Sequence, residues 1–160
     1  MKTVSTSNDN VGGLSSIYVV PTAVFNRVKT DFSTGKRYVS VASTEDVIEL
    51  PVFYNQSFMY EENPELQDGG DAYDVKIQGV VPRLDTDPQL LRELERGEWL
   101  VMHQDKNGGA RLSGTVDVPL RFSTIRSSGN SPAALNGHRF TFSAVEPCPS
   151  VEVEQGMIVE

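Results

Sequence analysis

Cysteine is almost absent from this sequence of 160 residues, which contains only Cys148, in the segment EPCPS. A single thiol excludes an intramolecular disulfide and a metal site built from cysteines. The flanking prolines favour an extended segment, and we interpret Cys148 as a small apolar residue near the last strand. The only two histidines, His103 and His138, lie on different predicted strands. A zinc site would need those strands to be neighbours and a carboxylate beside them, so we expect no metal.

Long apolar runs and basic clusters are also missing. No segment approaches the roughly 18 apolar residues that indicate a membrane helix, and the polar N-terminus lacks the apolar core of a signal peptide. The chain has 14 basic and 22 acidic residues, a net charge of −8. Phosphate backbones repel such a surface, so we expect no direct nucleic-acid binding. The expected location is the cytoplasm, or a particle assembled there.

The glycine-rich stretch HQDKNGGARLSG, residues 103–114, raises the question of a phosphate-binding loop. Such a loop needs Lys and Ser or Thr directly after its last glycine and a helix behind it. Here Gly109 precedes Ala-Arg-Leu, Gly114 precedes Thr-Val, and neither is followed by a helical pattern. Asn-Gly between two alternating apolar runs is a strong hairpin signal. The sequence therefore predicts a hairpin turn at Asn107 and Gly108.

Other chemical motifs are absent or incomplete. Asp68, Asp71 and Asp74 lack the alternating spacing and the closing glutamate of a calcium loop. The segments RLSGT and RSSGN lack the turn from strand to helix that exposes a catalytic serine. Paired carboxylates for hydrolysis remain open, because their separation is a three-dimensional quantity. We expect no catalytic residue and no cofactor, and hence a protein that is not an enzyme.

Over most of the chain, apolar and polar residues alternate as they do in half-buried β-strands. Pro21, inside the first apolar run, predicts an edge strand or a broken strand. Segment 46–62 predicts two short strands broken around Pro51 or Asn55, and segment 62–74 predicts a polar, acidic loop. The alternation places one set of aromatic side chains in the core: Trp99, Phe122, Phe140 and Phe142.

One helix is predicted around residues 87–96. Thr86 or Asp87 suits the N-cap, Pro88 suits the first turn, and Gly97 suits the position past the end. Three leucines form its apolar stripe: Leu90, Leu91 and Leu94. Since a helix of this length is marginal alone, it must pack on a sheet. The predicted fold is mainly β, an antiparallel sandwich or partly open barrel with this one helix.

The predicted organisation is a flexible arm at 1–16, a single β-rich domain at 17–152 and an acidic tail at 153–160. The arm, the acidic loop at 62–72 and the long loop at 125–137 are the expected contact surfaces. Within the long loop, one candidate interaction segment is composed of small and polar residues: Ser127, Ser128, Gly129, Asn130, Ser131 and Pro132.

The C-terminal half also carries a family resemblance. Its motifs are Asn107-Gly108, Arg111-Leu112-Ser113-Gly114, Pro119-Leu120-Arg121-Phe122 and the ending from Phe140 to Pro147 and Pro149. Over roughly residues 85–150 the chain resembles small tail-associated structural proteins of phages and prophages of Bacteroides-type bacteria. The resemblance implies a subunit of a tail or baseplate in a host cell or virion. Its partners would be copies of itself or other tail subunits.

An alternative from a different class is a small β-sandwich module that binds carbohydrate or peptide. That function would need an exposed aromatic groove, for which Trp99 and Tyr54 are the candidates. An enzyme ranks third, because it would need a pocket that brings His103 or His138 to a carboxylate.

Overall fold

The computed structural model describes residues 11–50, 58–82, 87–128 and 137–160. Twelve strands and one helix lie in these ranges. The elements are β1 (Leu14–Pro21), β2 (Phe25–Asp31), β3 (Lys36–Val41), β4 (Ile48–Leu50), β5 (Met59–Gln67), β6 (Gly70–Pro82), α1 (Pro88–Arg96), β7 (Trp99–Asp105), β8 (Ala110–Ser113), β9 (Arg121–Ser127), β10 (Gly137–Glu146), β11 (Val151–Val153) and β12 (Met157–Val159).

The strands form three sheets. Sheet A has the order β11-β8-β7-β1-β4, sheet B the order β12-β3-β2 and sheet C the order β5-β6-β10-β9. All pairings are antiparallel except that of β12 with β3, which is parallel. None of these sheets closes into a barrel. The prediction of a mainly β fold of sandwich type with one short helix is confirmed.

Sheet A lies between two apolar clusters because its central strand β7 is apolar on both faces. Trp99 and Val101 belong to the cluster shared with sheet C, whereas Leu100 and Met102 belong to the cluster shared with sheet B. The arrangement therefore has three layers, with sheet A in the middle. The cluster facing sheet C holds the predicted aromatic core: Trp99, Phe122, Phe140 and Phe142.

Helix α1 has the predicted limits. The Asp87 side chain caps it by accepting a hydrogen bond from the Gln89 backbone N–H, and Pro88 begins it. Gly97 follows the last turn, but with extended backbone (φ −80°) rather than the left-handed conformation expected of a terminal glycine. A side chain at Gly97 would lie 2.2 Å from the Trp99 ring. The glycine thus allows Trp99 to fold back under the helix.

Two boundaries differ from the predictions. Strand β1 begins at Leu14, inside the predicted arm. Its last residue, Pro21, pairs with Trp99 of β7 and lies beyond the pairing with β4, which ends at Val19. Strand β12 lies inside the predicted tail and pairs with β3. The pairing packs Met157 against the apolar cluster. The acidic residues around β12 made the segment look like a polar tail. Residues 1–10 and the predicted break at 51–57 lie outside the described residues.

The predicted acidic loop is wrong, because most of segment 62–74 belongs to the hairpin of β5 and β6, with its turn at Asp68 and Gly69. Strand β5 is an edge of sheet C. An edge strand tolerates both Pro64 and charged side chains that face solvent. The proline and the charged residues of β5 therefore gave the segment the composition of a loop.

Candidate functional site

The predicted hairpin turn joins β7 to β8 and forms one rim of an open cleft. Gly108 has φ +94°, a conformation that costs glycine little. The Asp105 carboxylate organises the turn by accepting hydrogen bonds from the backbone N–H groups of Asn107 at 2.8 Å and Gly109 at 2.9 Å. Strands β7 and β8 pair antiparallel on the two sides of Asn107 and Gly108.

Asn107 has a second role that its sequence context does not reveal. Its side-chain amide donates to the Val11 carbonyl at 3.1 Å, and its side-chain oxygen accepts from the Val11 N–H at 3.0 Å. The Lys106 N–H also donates to the Gly13 carbonyl. The chain just before β1 is thus fixed to the β7–β8 turn.

An open cleft of about 740 Å³ surrounds this turn. Its walls come from the β2–β3 turn, the β7–β8 hairpin and the chain after β11. Its charged lining is balanced, with Lys36, Arg37 and Arg111 against Asp105, Glu152 and Glu154. Two of these pairs already form ion pairs, Arg111 with Glu152 at 3.3 Å and Lys36 with Glu154 at 3.4 Å. The cleft therefore has no excess of charge to select an anion or a cation.

A buried polar chain lies below the cleft, on the face of sheet A that meets sheet C. His103 Nε2 is 3.1 Å from Ser113 Oγ, and Ser113 Oγ is 2.8 Å from Ser150 Oγ. The Ser150 N–H donates to Glu62 Oε2 at 2.7 Å, and the Tyr60 hydroxyl donates to the same oxygen at 2.8 Å. These bonds connect β7, β8 and the residue before β11 with β5. They bind the two sheets together.

The protonation states follow from burial. Burial, together with the positive charge of Arg111, lowers the pKa of His103 from 6.5 to about 4, so the ring is neutral at pH 7. Burial, together with the neighbouring Glu62, raises the pKa of Tyr60 to about 12. Burial alone would raise the pKa of Glu62, but hydrogen bonds from Ser150 and Tyr60 hold it below its usual range.

Glu146 provides a second connection between the sheets. It ends β10, is 3% exposed, and accepts a hydrogen bond from the Gly114 N–H at the end of β8 at 2.9 Å. Burial is the main cause that raises the pKa of Glu146 to about 7, and the negative charge of Glu62 adds to it. The carboxyl is therefore divided between its two protonation states near neutral pH.

A serine beside a histidine suggests nucleophilic catalysis, but the exposure of these groups does not suit it. His103 borders the cleft but is only 3% exposed, and Ser113 Oγ is fully buried behind it. A ring nitrogen with a pKa of about 4 is also a weak base at pH 7. The Tyr60 ring has His103 against one side, at 4.3 Å between centroids, and the Arg111 guanidinium 5.9 Å from its centroid. The cluster is suited to holding β5 in place.

The histidines are not brought together. His103 lies on β7 of sheet A and His138 on β10 of sheet C. In the described ranges no group of three or more His, Cys, Asp or Glu side chains is placed to hold a metal ion. Cys148 is exposed rather than packed near the last strand, because it lies in the bend between β10 and β11.

The expected contact surfaces are only partly described. Ser127 ends β9 and Ser128 follows it, while residues 129–136 lie outside the described residues, including Gly129, Asn130, Ser131 and Pro132. Several large apolar side chains are exposed elsewhere. Three of them lie on the edge strands of sheet C: Met59 at 40% exposure and Leu66 at 86% on β5, and Ile125 at 65% on β9.

No helix among the described residues is both long and apolar enough to cross a membrane. Comparison of the chain with protein-family models, with curated proteins and with solved structures finds no match. The candidate functional features are therefore those of the chain itself: a charge-balanced cleft, a buried polar connection between sheets, and open strand edges.

Proposed function

We propose that this chain is a non-enzymatic structural subunit of a phage or prophage tail or baseplate. It associates with copies of itself, or with other tail subunits, through strand edges and loops. The resemblance over roughly residues 85–150 supports the tail setting. The net charge of −8 suits a surface that DNA passes without adhering.

The observation that carries the proposal is that both edges of sheet C are open. Among the described residues, β5 pairs only with β6 and β9 pairs only with β10. These edge strands are nine and seven residues long. Long edges present rows of unpaired backbone groups that join other chains readily, and monomeric proteins usually shorten or cover them. Strand addition at such edges is a common way to assemble subunits.

The nature of the polar side chains supports a role without catalysis. His103 and Glu146, whose pKa values burial displaces, are both buried and lie between sheets A and C. Four of the six charged side chains that line the cleft beside them are already in ion pairs.

The alternative of a carbohydrate- or peptide-binding module receives less support. Trp99, one of its two candidate aromatics, is 3% exposed and donates its indole N–H to the Leu94 carbonyl. Tyr54, the other candidate, lies outside the described residues. Tyr60 reaches the cleft, but its ring already contacts His103 and Arg111.

Size-exclusion chromatography coupled to light scattering, over a concentration series, tests the proposal. We expect a mass that rises with concentration towards a closed ring or a longer polymer, because each subunit has two open edges of one sheet. A mass of one 17.6 kDa chain at every concentration would contradict self-association and would favour the binding-module alternative.

A further inference from the structure

We propose that copies of this chain join head to tail through the tip of the β5–β6 hairpin, which docks on the outer face of sheet C in the next copy. Leu66 packs there against Ile125. Asp71, beside Leu66, forms an ion pair with Arg139. This inference rests on the proposed function, because it requires self-association, and it specifies one contact by which copies meet. Leu66 and Ile125 belong to β5 and β9, the two edge strands of sheet C.

The hairpin tip, residues 63–71, extends past the packed part of the molecule. Glu62, just before it, still accepts a hydrogen bond from the Ser150 N–H. Every residue of the tip whose exposure is described is exposed, on both faces of the two-stranded ribbon. A two-stranded ribbon without a packing partner is at best marginally stable in water. The tip is therefore suited to packing on another molecule.

The hairpin tip presents an apolar and an acidic side chain next to each other. Leu66 is 86% exposed and pairs across the hairpin with Asp71. Side chains directly opposite in this way have Cβ atoms about 5 Å apart. By alternation, both lie on the same face of sheet C as Glu62, the face that meets sheet A farther along β5. The tip has three acidic residues and no basic one: Glu65, Asp68 and Asp71.

A complementary row lies near the opposite end of sheet C, on its outer face. Ile125 is 65% exposed and pairs with Arg139, which pairs in turn with Val80. The row faces away from sheet A, because Phe140, the next residue of β10, belongs to the core. Strand β9 has no acidic residue. This basic row, Ile125, Arg139 and Val80, therefore offers an apolar side chain beside a cation, as the hairpin tip offers one beside an anion.

Docking breaks no existing ion pair. Asp71 and Arg139 are both exposed. Among the described residues, neither has an ion-pair partner in its own chain, whereas Lys76 and Arg121 of the same sheet do. The complementary charges select the orientation of the contact and disfavour a tip lying on another tip.

The hairpin tip cannot reach the basic row of its own chain. Asp71 and Val80 lie on the same strand, β6, nine residues apart. At the rise of a β-strand this separation is about 30 Å. The occupant of the row is therefore the tip of a second copy.

The faces involved make the contact head to tail. The hairpin tip uses the face of sheet C that meets sheet A, whereas the basic row lies on the outer face. In a reciprocal two-fold pair, each sheet would have to lie on both sides of the other, which one pair of sheets does not allow. Each copy therefore gives its tip to one neighbour and receives a tip from another. Such a contact repeats into a ring or a filament.

Charge reversal tests the ion pair. In Asp71→Arg two cations meet at each joint, and in Arg139→Asp two carboxylates meet there. We expect each variant alone to associate at least about tenfold more weakly than the wild type. Mixing the two variants in equal amounts should restore assembly, because every joint between unlike copies again pairs opposite charges. Light scattering after chromatography at low salt measures all samples, and circular dichroism melting verifies that each variant folds.

The matched control is Asp46→Arg, the same substitution at an exposed residue outside sheet C. It should assemble as the wild type does.

Disulfide trapping tests the apolar contact. In a Cys148→Ser background, Leu66→Cys and Ile125→Cys in separate chains should form a covalent dimer when mixed and oxidised, because a disulfide needs Cα atoms within about 7 Å. A chain with both substitutions should form a ladder of covalent oligomers on a non-reducing gel. Phe32→Cys is the control, since Phe32 is 95% exposed but lies outside sheet C. It should not form a disulfide with Leu66→Cys.

The outcomes separate this contact from the proposed function. An assembling wild type whose association is unchanged by both reversals would overturn the contact while leaving the proposed function intact. Reversals that weaken assembly but are not rescued by mixing would also overturn it. The same conclusion would follow if assembled samples gave no disulfide between Leu66→Cys and Ile125→Cys. A wild type that never assembles would contradict both proposals.

Discussion

Replacing Trp99 with alanine is expected to destabilise the folded chain by about 3–5 kcal/mol, the range for truncating a buried aromatic side chain. Trp99 is 3% exposed and lies between α1 and the core that faces sheet C. Its indole N–H donates to the Leu94 carbonyl at 2.9 Å, within the last turn of α1, where carbonyls lack partners inside the helix. The substitution therefore opens a cavity and releases the C-terminal end of the helix.

Chemical denaturation, followed by fluorescence and by circular dichroism at a low protein concentration, measures this loss. Trp99→Phe is the matched comparison, because it keeps an aromatic ring but removes the N–H, and it should destabilise the chain less than Trp99→Ala does. Both variants lack the single tryptophan, so circular dichroism alone follows their unfolding. A loss under about 0.5 kcal/mol for Trp99→Ala, as at exposed positions, would contradict the core placement. It would return Trp99 to the candidates for an aromatic binding surface.

Two buried groups are expected to change the free energy of unfolding with pH in opposite directions. Glu146 has a folded pKa of about 7, above its ordinary 4.5, so its contribution is complete below pH 4.5 and is lost as pH rises through 7. His103 has a folded pKa of about 4, below its ordinary 6.5, so its contribution is present above pH 6.5 and is lost as pH falls through 4. Between pH 4.5 and 6.5 the two effects offset each other.

Single substitutions should expose each slope. The free energy of unfolding of Glu146→Gln, relative to that of the wild type, should increase by about 1.4 kcal/mol per pH unit between pH 4.5 and 7. The total increase should reach up to about 3 kcal/mol at pH 8. His103→Gln should lose about the same amount per pH unit as pH rises from 4.5 to 6.5. Because both comparisons are differences from the wild type, titration of the other carboxylates cancels.

Urea denaturation at half-unit pH intervals measures these slopes. A Glu146→Gln profile parallel to that of the wild type would show that Glu146 ionises as readily in the folded chain as in the unfolded one. That result would contradict the buried connection between β10 and β8. For His103, an NMR titration of the ring provides an independent check, since the ring should remain neutral down to about pH 5.

Local sequence patterns predicted the elements whose signals are local. The helix required a cap, a first-turn proline and an apolar stripe, all within the segment from Asp87 to Gly97. The β7–β8 hairpin required only Asn107 and Gly108 between two alternating runs. Alternation also placed Phe140 and Phe142 in the core. Each prediction depends on neighbours within a few residues, where propensity and periodicity are informative.

The parts that the sequence did not reveal depend on contacts between distant residues. Strand β12 is three residues long and is stabilised by β3, more than 110 positions earlier, so no local pattern marks it. The middle position of sheet A follows from apolar residues on both faces of β7, and single-strand alternation cannot say what covers each face. The chain of His103, Ser113, Ser150 and Glu62 assembles from four separate segments. The only feature that could have indicated this chain is the burial of a serine, and burial cannot be inferred from neighbouring residues in the sequence.

The most direct test of the account is hydrogen–deuterium exchange measured at a low and a high protein concentration. If strand edges carry self-association, amides of Met59–Gln67 and Arg121–Ser127 should exchange more slowly at the high concentration, because their outward N–H groups become hydrogen-bonded. The edge strands of the other two sheets, β4 and β11 of sheet A and β2 and β12 of sheet B, should exchange equally at both concentrations. Equal exchange of β5 and β9 at both concentrations, in a sample that light scattering shows to be assembled, would contradict the account.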